Sequence, residues 1–431
     1  MYDFFKKSVV LVLTLEARLV LARYKPKIVA VMGSMGKTTA KDAVYAALST
    51  TLHVRKSEKS FNSDLGVQLT ILGLENAWKN PLRWAENIIR GFWLAARKTS
   101  YPEWLVLEVG ADRPGDIRNI ARWLRPHIVV ITGVPEIPVH VEFFSSPDQL
   151  ALEKRSLAEY MAPGGTLVLN GDDTHMVERC AEFREKTTTY GFGNRNDWYA
   201  SHFVVGYEKK KPVGIRFKLN QKGLVFPVSV EGVLGKPRAY AALAAFAVAN
   251  VVGIDGASVV HSLSKWMPPP GRMRILRGKN GSTIIDDTYN SSPAAALSAL
   301  DTLKEMKAVR RIAVLGDMLE LGRFASEAHR NIGTRAALCA DRLVTVGFRS
   351  RASAEAALDA GMPETNIRQY EQNESRRVGE ELKGELQEGD IVLVKGSQSM
   401  RMERTVEELM AEPERAGDLL VRQEEEWLLK K

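Results

Sequence analysis

The chain has 431 residues, enough for two or three domains with separate cores. Its 45% hydrophobic and 26% charged content excludes a disordered or fibrous chain, and no run of Lys and Arg interleaved with aromatics marks a nucleic-acid partner. The net charge of +8 suits anionic substrates such as nucleotides, or a negatively charged membrane surface, and two cysteines without metal-ligand spacing point to a reducing cytoplasm.

At the N-terminus, Phe4-Phe5-Lys6-Lys7 leads into the apolar run Ser8 to Leu15, which Glu16 and Arg18 interrupt. The run is too short to span a hydrocarbon core of about 30 Å, and no small-residue cleavage site follows it. Two readings stand for residues 1–25: a helix packed on the domain or on another chain, giving a homo-oligomer, or a helix lying on the inner membrane face.

Residues Val31 to Thr39 read VMGSMGKTT between the apolar run Ile28-Val29-Ala30 and the helix-compatible stretch Ala40 to Leu48. A strand, a glycine-containing loop and a helix start make a phosphate cradle. Backbone N–H groups face the anion and the helix N-terminus adds positive potential. Gly33, Ser34 and Gly36 form the loop, Lys37 reaches the terminal phosphates, and the Thr38 hydroxyl sits on a magnesium ion, with Thr39 beside it. The usual spacing places a glycine five positions before Gly36; Val31 stands there, so the loop is the shorter GxxGKT form that a subset of ATP users carries.

Beyond the loop, strand-like runs (Trp104–Val109, Ile128–Thr132, Thr166–Asn170) alternate with helix-like ones (Asp116–Trp123, Pro147–Tyr160), which predicts a parallel sheet covered on both faces. Glu108 ends one such strand, where ligands bind in open α/β sheets and where a carboxylate can hold a metal. His140 follows the next strand and lies near the same edge, and Lys154 falls in the helix after it. By spacing alone His140 reads more often as a hydrogen-bonded structural histidine, and Lys154 as a solvated lysine. From Trp198 to Val230 the texture changes to Val/Phe/Tyr alternation with Lys-rich turns, which predicts antiparallel strands; Ala239 to Val252 reads as an Ala-rich helix.

Pro268-Pro269-Pro270-Gly271 is the strongest punctuation in the chain and marks the expected boundary between units 26–270 and 271–431. Past it, Thr283–Asp286, Ile312–Leu315, Arg342–Val346 and Ile391–Lys395 read as buried strands. The loops at Arg272, Asp287 to Asn290, Asp317 to Glu320 and Lys395 present polar groups at strand ends. The charged tail from Glu403 reads as a solvated closing helix. From the residues alone, one α/β unit holds phosphates and a hinge closes the other over it.

The segments GSMGKTT, FNSDLGVQLTIL, LEVGADRPGDI, HVEFFSS, GGTLVLNGDD, IIDDTYNSSP, AVLGDMLELG and VLVKGSQSMRME, over roughly Lys27 to Leu409, resemble the Mur ligases, and among them the MurF type. The resemblance implies an α/β fold: a P-loop central domain with a mostly parallel sheet, plus a C-terminal Rossmann-like α/β domain. It implies an ATP-dependent amide (peptide) ligase working through an acyl phosphate in peptidoglycan precursor synthesis, with a small-molecule carboxylate and an amino-acid or dipeptide amine as substrates. Lys37, Lys154 and His140 take catalytic positions. Thr38, Glu108, His140 and Lys154 hold Mg2+, with Lys154 as a carbamylated lysine. Asn62, Arg272 and Asp287 join the loop residues around ATP, while Asn290, Asp317, Glu320 and Lys395 face the incoming amine.

Three departures accompany the resemblance. Gly33 stands so near Met1 that the family's N-terminal UDP-sugar-binding domain is expected to be missing. The adenine-contacting HN pair of the family's LG-x-HN-x-x-N pattern is replaced by Pro237 and Arg238, the latter expected to stack on a base. The family's TNVGPAH becomes the longer Thr132 to His140 stretch. Two further readings follow: a Mur-like ligase acting on a non-murein carboxylate, as in folylpolyglutamate or polyglutamate synthases, and a non-catalytic nucleotide-binding scaffold.

Overall fold

The computed structural model describes residues 2–58, 64–77, 80–111, 113–134 and 143–428. The chain opens with helix α1 (Tyr2–Tyr24), strand β1 (Lys27–Met32), α2 (Lys37–Leu48), β2 (Val54–Lys56), α3 (Asp64–Leu72) and α4 (Pro81–Ala96). Next come β3 (Trp104–Glu108), α5 (Asp116–Leu124), β4 (Ile128–Ile131), α6 (Pro147–Glu159), β5 (Thr166–Asn170), α7 (Thr174–Arg179) and β6 (Thr187–Gly191). A long antiparallel meander, β7 (Trp198–Glu208), β8 (Lys211–Gln221) and β9 (Leu224–Glu231), precedes α8 (Lys236–Val252) and α9 (Gly256–Ser264).

These nine strands form one sheet in the order β2-β3-β1-β4-β5-β6-β7-β8-β9, parallel from β2 through β7 and antiparallel beyond. Helices cover both faces, which explains the unbroken apolar strands. Along β1, Ile28, Ala30 and Met32 point into the core under α1, α3, α5 and α6, while Val29 and Val31 point into the core under α2, α8 and α9. The alanines of α8 allow it to lie close against α2. After β1 the chain crosses to β2 on one side and later returns to β4 on the other, so a crevice opens at the C-terminal ends of β1 and β4.

The second sheet is built from β10 (Arg274–Arg277), β11 (Thr283–Asp287), β12 (Arg311–Gly316), β13 (Arg342–Val346), β14 (Ile367–Tyr370) and β15 (Ile391–Lys395), with α10 (Pro293–Glu305), α11 (Ala325–Cys339), α12 (Arg351–Asp359) and α13 (Ser375–Leu382) between the strands. Its order is β10-β11-β15-β12-β13-β14, parallel except for the β10–β11 pair. The expected α/β architecture is borne out, and so are the antiparallel strands after Trp198.

The tail differs from expectation. It breaks into α14 (Glu403–Leu409), α15 (Ala416–Leu419) and α16 (Glu425–Leu428), and α14 is not solvated. Val406 and Leu409 are buried in the second core, and Glu403 is buried between Arg401 and Arg422. A high charge count misleads here because the charges satisfy one another inside the fold.

Helix α1 packs on its own chain. Val9, Leu13, Ala17 and Val20 are buried against α3 and α4, and the Tyr24 hydroxyl donates to the Arg97 carbonyl at 2.7 Å. Glu16 is also buried there, facing the α4 backbone at Gly91, where an added Cβ would come within 2.1 Å of Glu16 Oε2. Burial pushes its carboxyl up from 4.5 to about 7. Between those values the folded protein keeps a proton that the unfolded chain has released, so stability falls as pH rises through that window. Glu16→Gln should remove this loss. The stability advantage of the variant, read by denaturant titration, should grow from pH 4.5 to about 7 and then level off, and an advantage independent of pH would contradict the assignment.

Candidate functional site

The phosphate loop runs from the end of β1 into α2. Gly33 has φ 147° and passes so close to β4 that a Cβ would lie 2.1 Å from Thr132 Oγ1. Gly36 caps α2 with φ 74°, a left-handed value that glycine takes without strain. Ser34 N donates to the Gly133 carbonyl at 2.8 Å, and Thr132 Oγ1 donates to the carbonyls of Met32 (3.1 Å) and Met35 (2.5 Å). The loop shape is therefore fixed by the neighbouring strand, placing Lys37, Thr38 and Thr39 in the first turn of α2, where the positive end of the helix favours an anion.

A cavity of about 450 Å³ opens between this loop and the second sheet. Ser34, Gly36, Lys37, Thr38, Thr39 and Glu108 line it from the first sheet, and Arg272, Asp287, Asn290, Glu320 and Lys395 from the other side. Glu108 ends β3 and pairs in register with Val31 of β1; its own N–H is held by Ser57 Oγ at 3.1 Å. Asp287 and Lys395 are register partners at the ends of β11 and β15. Lys395 Nζ donates to Asp287 Oδ2 at 2.7 Å and to the Asn290 carbonyl at 2.8 Å, with its side chain only 3% exposed.

Two arginines tie the loop to the hinge. Arg272 Nη2 donates to Thr38 Oγ1 at 2.9 Å, and its guanidinium lies 4.0 Å over the Tyr289 ring. Arg238, from the first turn of α8, donates to Thr39 Oγ1 and to the Arg272 carbonyl. Arg238 is 4% exposed, so it does not stack on a base as expected; burial and the nearby Arg272 push its guanidinium down to about 9. The hinge turn is held by Asp286, which accepts from Gly271 N at 3.1 Å and from the Thr288 hydroxyl at 2.6 Å. Of the adjacent acids, Asp286 is buried in the turn and Asp287 lines the cavity.

Lys154 lies behind the loop rather than on the cavity wall. Its Nζ, 3% exposed, donates to the Gly33 carbonyl at 3.4 Å. Burial and the charge of Lys37 push it down to about 7. Glu153, its neighbour on α6, accepts from the N–H of Ile117 at 2.9 Å and caps α5. Asp317 also lies elsewhere than expected: its carboxylate is buried and accepts from Arg349 N (3.2 Å) and Ser350 N (2.7 Å) ahead of α12, so it shapes the loop after β12 instead of facing an amine. His140 and Asn62 lie outside the described residues.

Oxygen donors suit magnesium, and Thr38 and Glu108 line the same wall, so the residues present fit a divalent cation held jointly with phosphate oxygens. Among the described residues no three of His, Cys, Asp and Glu are grouped. A second cavity of about 380 Å³ adjoins the loop at Met35 and Gly36 and is lined by Asn170, His175, Pro237 and Tyr240. There Asp172 accepts from the Tyr240 hydroxyl at 2.8 Å and from Asn196 Nδ2 at 2.9 Å.

Sequence reasoning missed Arg422, whose guanidinium, 4% exposed, donates to Glu403 at 2.8 Å and to the Thr288 and Tyr289 carbonyls, bracing the loop under the cavity from the tail. No local pattern distinguishes it from the other tail charges. The Asp287–Lys395 pair carries a checkable cost. Asp287→Ala would leave a buried ammonium without its carboxylate and should destabilise the protein by about 3 kcal/mol, whereas Asp287→Ala with Lys395→Met should cost less than the single change. Denaturant titration of the two variants checks the difference, and equal losses would show the pair to be uncoupled.

Comparison with known proteins agrees with this geometry. The Mur ligase middle domain matches residues 31–249, and the Mur ligase glutamate ligase domain matches residues 271–398. A UDP-N-acetylmuramoyl-tripeptide–D-alanyl-D-alanine ligase of Bacillus subtilis is 28% identical over 389 residues, covering 90% of this chain and 76% of that protein. The enzyme of the same name from Mycobacterium bovis is 30% identical over 407 residues, covering 89% and 73%. The crystal structure of MurF ligase from Thermotoga maritima in complex with ADP superposes with a TM-score of 0.74 at 25% identity, covering 95% of this chain and 84% of that one. The chain belongs to the Mur ligase family.

Proposed function

We propose that this protein is an ATP-dependent, ADP-forming amide ligase of the MurF type, acting in peptidoglycan precursor synthesis. One observation carries the reading. A GxxGKT loop and a set of strand-end groups from a second α/β unit line a single cavity, with Lys37, Arg238, Arg272 and Lys395 gathered around it. Arg238 and Arg272 repel one another there, and a polyanionic ligand relieves that repulsion.

The reaction has two steps. A carboxylate oxygen of the acceptor attacks the γ-phosphorus of ATP, the bridging P–O bond breaks, and ADP leaves. The amine nitrogen then attacks the acyl carbon, the C–O bond to phosphate breaks, phosphate leaves, and the nitrogen gives up a proton. The difficulty lies in bringing two anions together. In this chain the Lys37 ammonium and the α2 N-terminus neutralise the phosphates, and Arg272 orients Thr38 beside them. A magnesium ion held by Thr38 and Glu108, with His140 assigned by resemblance to a second ion, would supply further charge neutralisation. The Asn290, Glu320 and Lys395 side of the cavity receives the amine, and the hinge at 270/271 divides the nucleotide-binding unit from the amine-binding one. The adjoining cavity at His175, Pro237 and Tyr240 takes the base, and Asn62 is assigned to the nucleotide by resemblance alone.

The substrates follow the relatives' names: a UDP-N-acetylmuramoyl tripeptide as carboxylate and D-alanyl-D-alanine as amine. ADP release should therefore require both together, and turnover with other acids alone would redirect the reading to a non-murein ligase. Lys37→Ala should lower ADP release at least about a hundredfold with folding intact; wild-type rates in that variant would contradict the site.

Lys154 is the proposed carbamylated residue. Its amine is buried behind the loop and held near neutrality, and a neutral amine adds carbon dioxide to give a carbamate and a released proton. Labelled bicarbonate should give a carbamate resonance in the wild type that is absent from Lys154→Arg. Identical spectra would remove the carbamate from the mechanism.

A further inference from the structure

Helices α1 and α4 adjoin each other and keep large apolar side chains on their outer faces. Leu11 (72% exposed), Leu15 and Leu19 project from α1, while Leu82 (81%), Ile89, Phe92 (64%) and Trp93 project from α4. The inner faces are already used: Leu13, Ala17 and Val20 of α1 and Trp84 and Gly91 of α4 are buried. A helix apolar on both faces is expected inside a core or at a boundary with lipid, not in water.

The charges around these faces have one sign. Among the described side chains of residues 8–25 and 80–98, the exposed ones include Arg18, Arg23, Lys25, Arg83, Arg90, Arg97 and Lys98, against the single exposed carboxylate Glu86. That is seven positive and one negative, or +6, beside a net +8 for the whole chain. Arg97 stacks 4.0 Å over the Trp93 ring, so an aromatic and a guanidinium lie together at the rim, an arrangement that suits the headgroup level of a bilayer. Among the described residues no helix is long and apolar enough to cross a membrane.

We infer that α1 and α4 together form a surface that docks this protein on an anionic lipid bilayer, with the Leu, Ile, Phe and Trp side chains entering the interface and the arginines meeting lipid phosphates. Charge decides between occupants. A second copy of the chain would bring two strongly basic faces together, which like-charge repulsion opposes, whereas an anionic leaflet attracts them. The surface includes none of the residues that line the cavity between the two sheets, so an enzyme seated this way would keep that cavity's residues out of the contact.

Flotation of the full chain with phosphatidylcholine vesicles, with and without phosphatidylglycerol, tests this. The wild type should float with the anionic vesicles, less so at high salt, and stay unbound with the neutral ones. Ile89→Gln with Phe92→Gln, both at exposed positions, should lower partitioning at least about tenfold with an unchanged thermal melting curve. Arg83→Gln with Arg90→Gln and Arg97→Gln should lower it and reduce its salt dependence. Wild-type protein that ignores anionic vesicles, or variants that partition like the wild type, would overturn the proposal. So would a wild-type dimer in sedimentation velocity that the Ile89/Phe92 variant converts to monomer, with no vesicle binding by either.

Discussion

The joint between the two sheets includes Arg272, which reaches the Thr38 hydroxyl, and Arg238, which links the Thr39 hydroxyl to the Arg272 carbonyl. The cavity depends on it. The phosphate loop is shaped by Thr132 just past β4, and the second sheet packs on a core that also takes in Leu234. The arginines, the turn that Asp286 fixes at Gly271, and the backbone pairing of Leu234 with Met273 and of Gly232 with Ile275 together set the loop opposite Asp287 and Lys395. Both arginines bond to groups that a phosphate-bound cation or a nucleotide would also contact. The position of Arg272 and the occupancy of the loop are thereby linked at the Thr38 hydroxyl.

Buried charge is arranged differently at each wall. Lys395 is fixed by Asp287 and the Asn290 carbonyl, so its charge is balanced within the second unit. Lys154 donates to the Gly33 carbonyl, and burial and the repulsion of Lys37 together outweigh the attraction of Glu153, pushing its ammonium down. Two lysines of similar burial thus differ in setting: Lys395 is paired with a carboxylate, while burial and Lys37 push the Lys154 ammonium down. That difference follows from the partner each helix or strand end supplies, not from the residue type.

Much of the fold was legible in the sequence because strands covered on both faces are unbroken apolar runs. Ile28–Met32 and Ile391–Lys395 announce themselves, and the Pro-rich stretch before Gly271 marks the change of sheet. The phosphate loop was legible for a local reason: its chemistry is carried by adjacent backbone groups. The remainder was not, because it depends on distant partners. Asp317 reads like Asp287, an acid at a strand end, yet its neighbours Gly347 and Ser350 draw it into an α12 cap. Arg238 reads like a group available to a base until Thr39 and the Arg272 carbonyl are brought to it across the fold. The tail reads as solvated because composition cannot show that Glu403 lies between two arginines.

Helix α1 shows where composition and packing give different information. Its sequence is apolar around most of its circumference, and its inner stripe, Val9, Leu13, Ala17 and Val20, is consumed by the domain. Packing on the chain and contact with a membrane are therefore not alternatives for one helix, because they use opposite faces. The burial of Glu16 fits this division, since a carboxylate on the inner stripe must face α4 at Gly91. Domain packing accounts for the inner stripe completely and leaves the outer leucines unexplained. The outer leucines, with the basic residues around them, are the face inferred to meet an anionic surface.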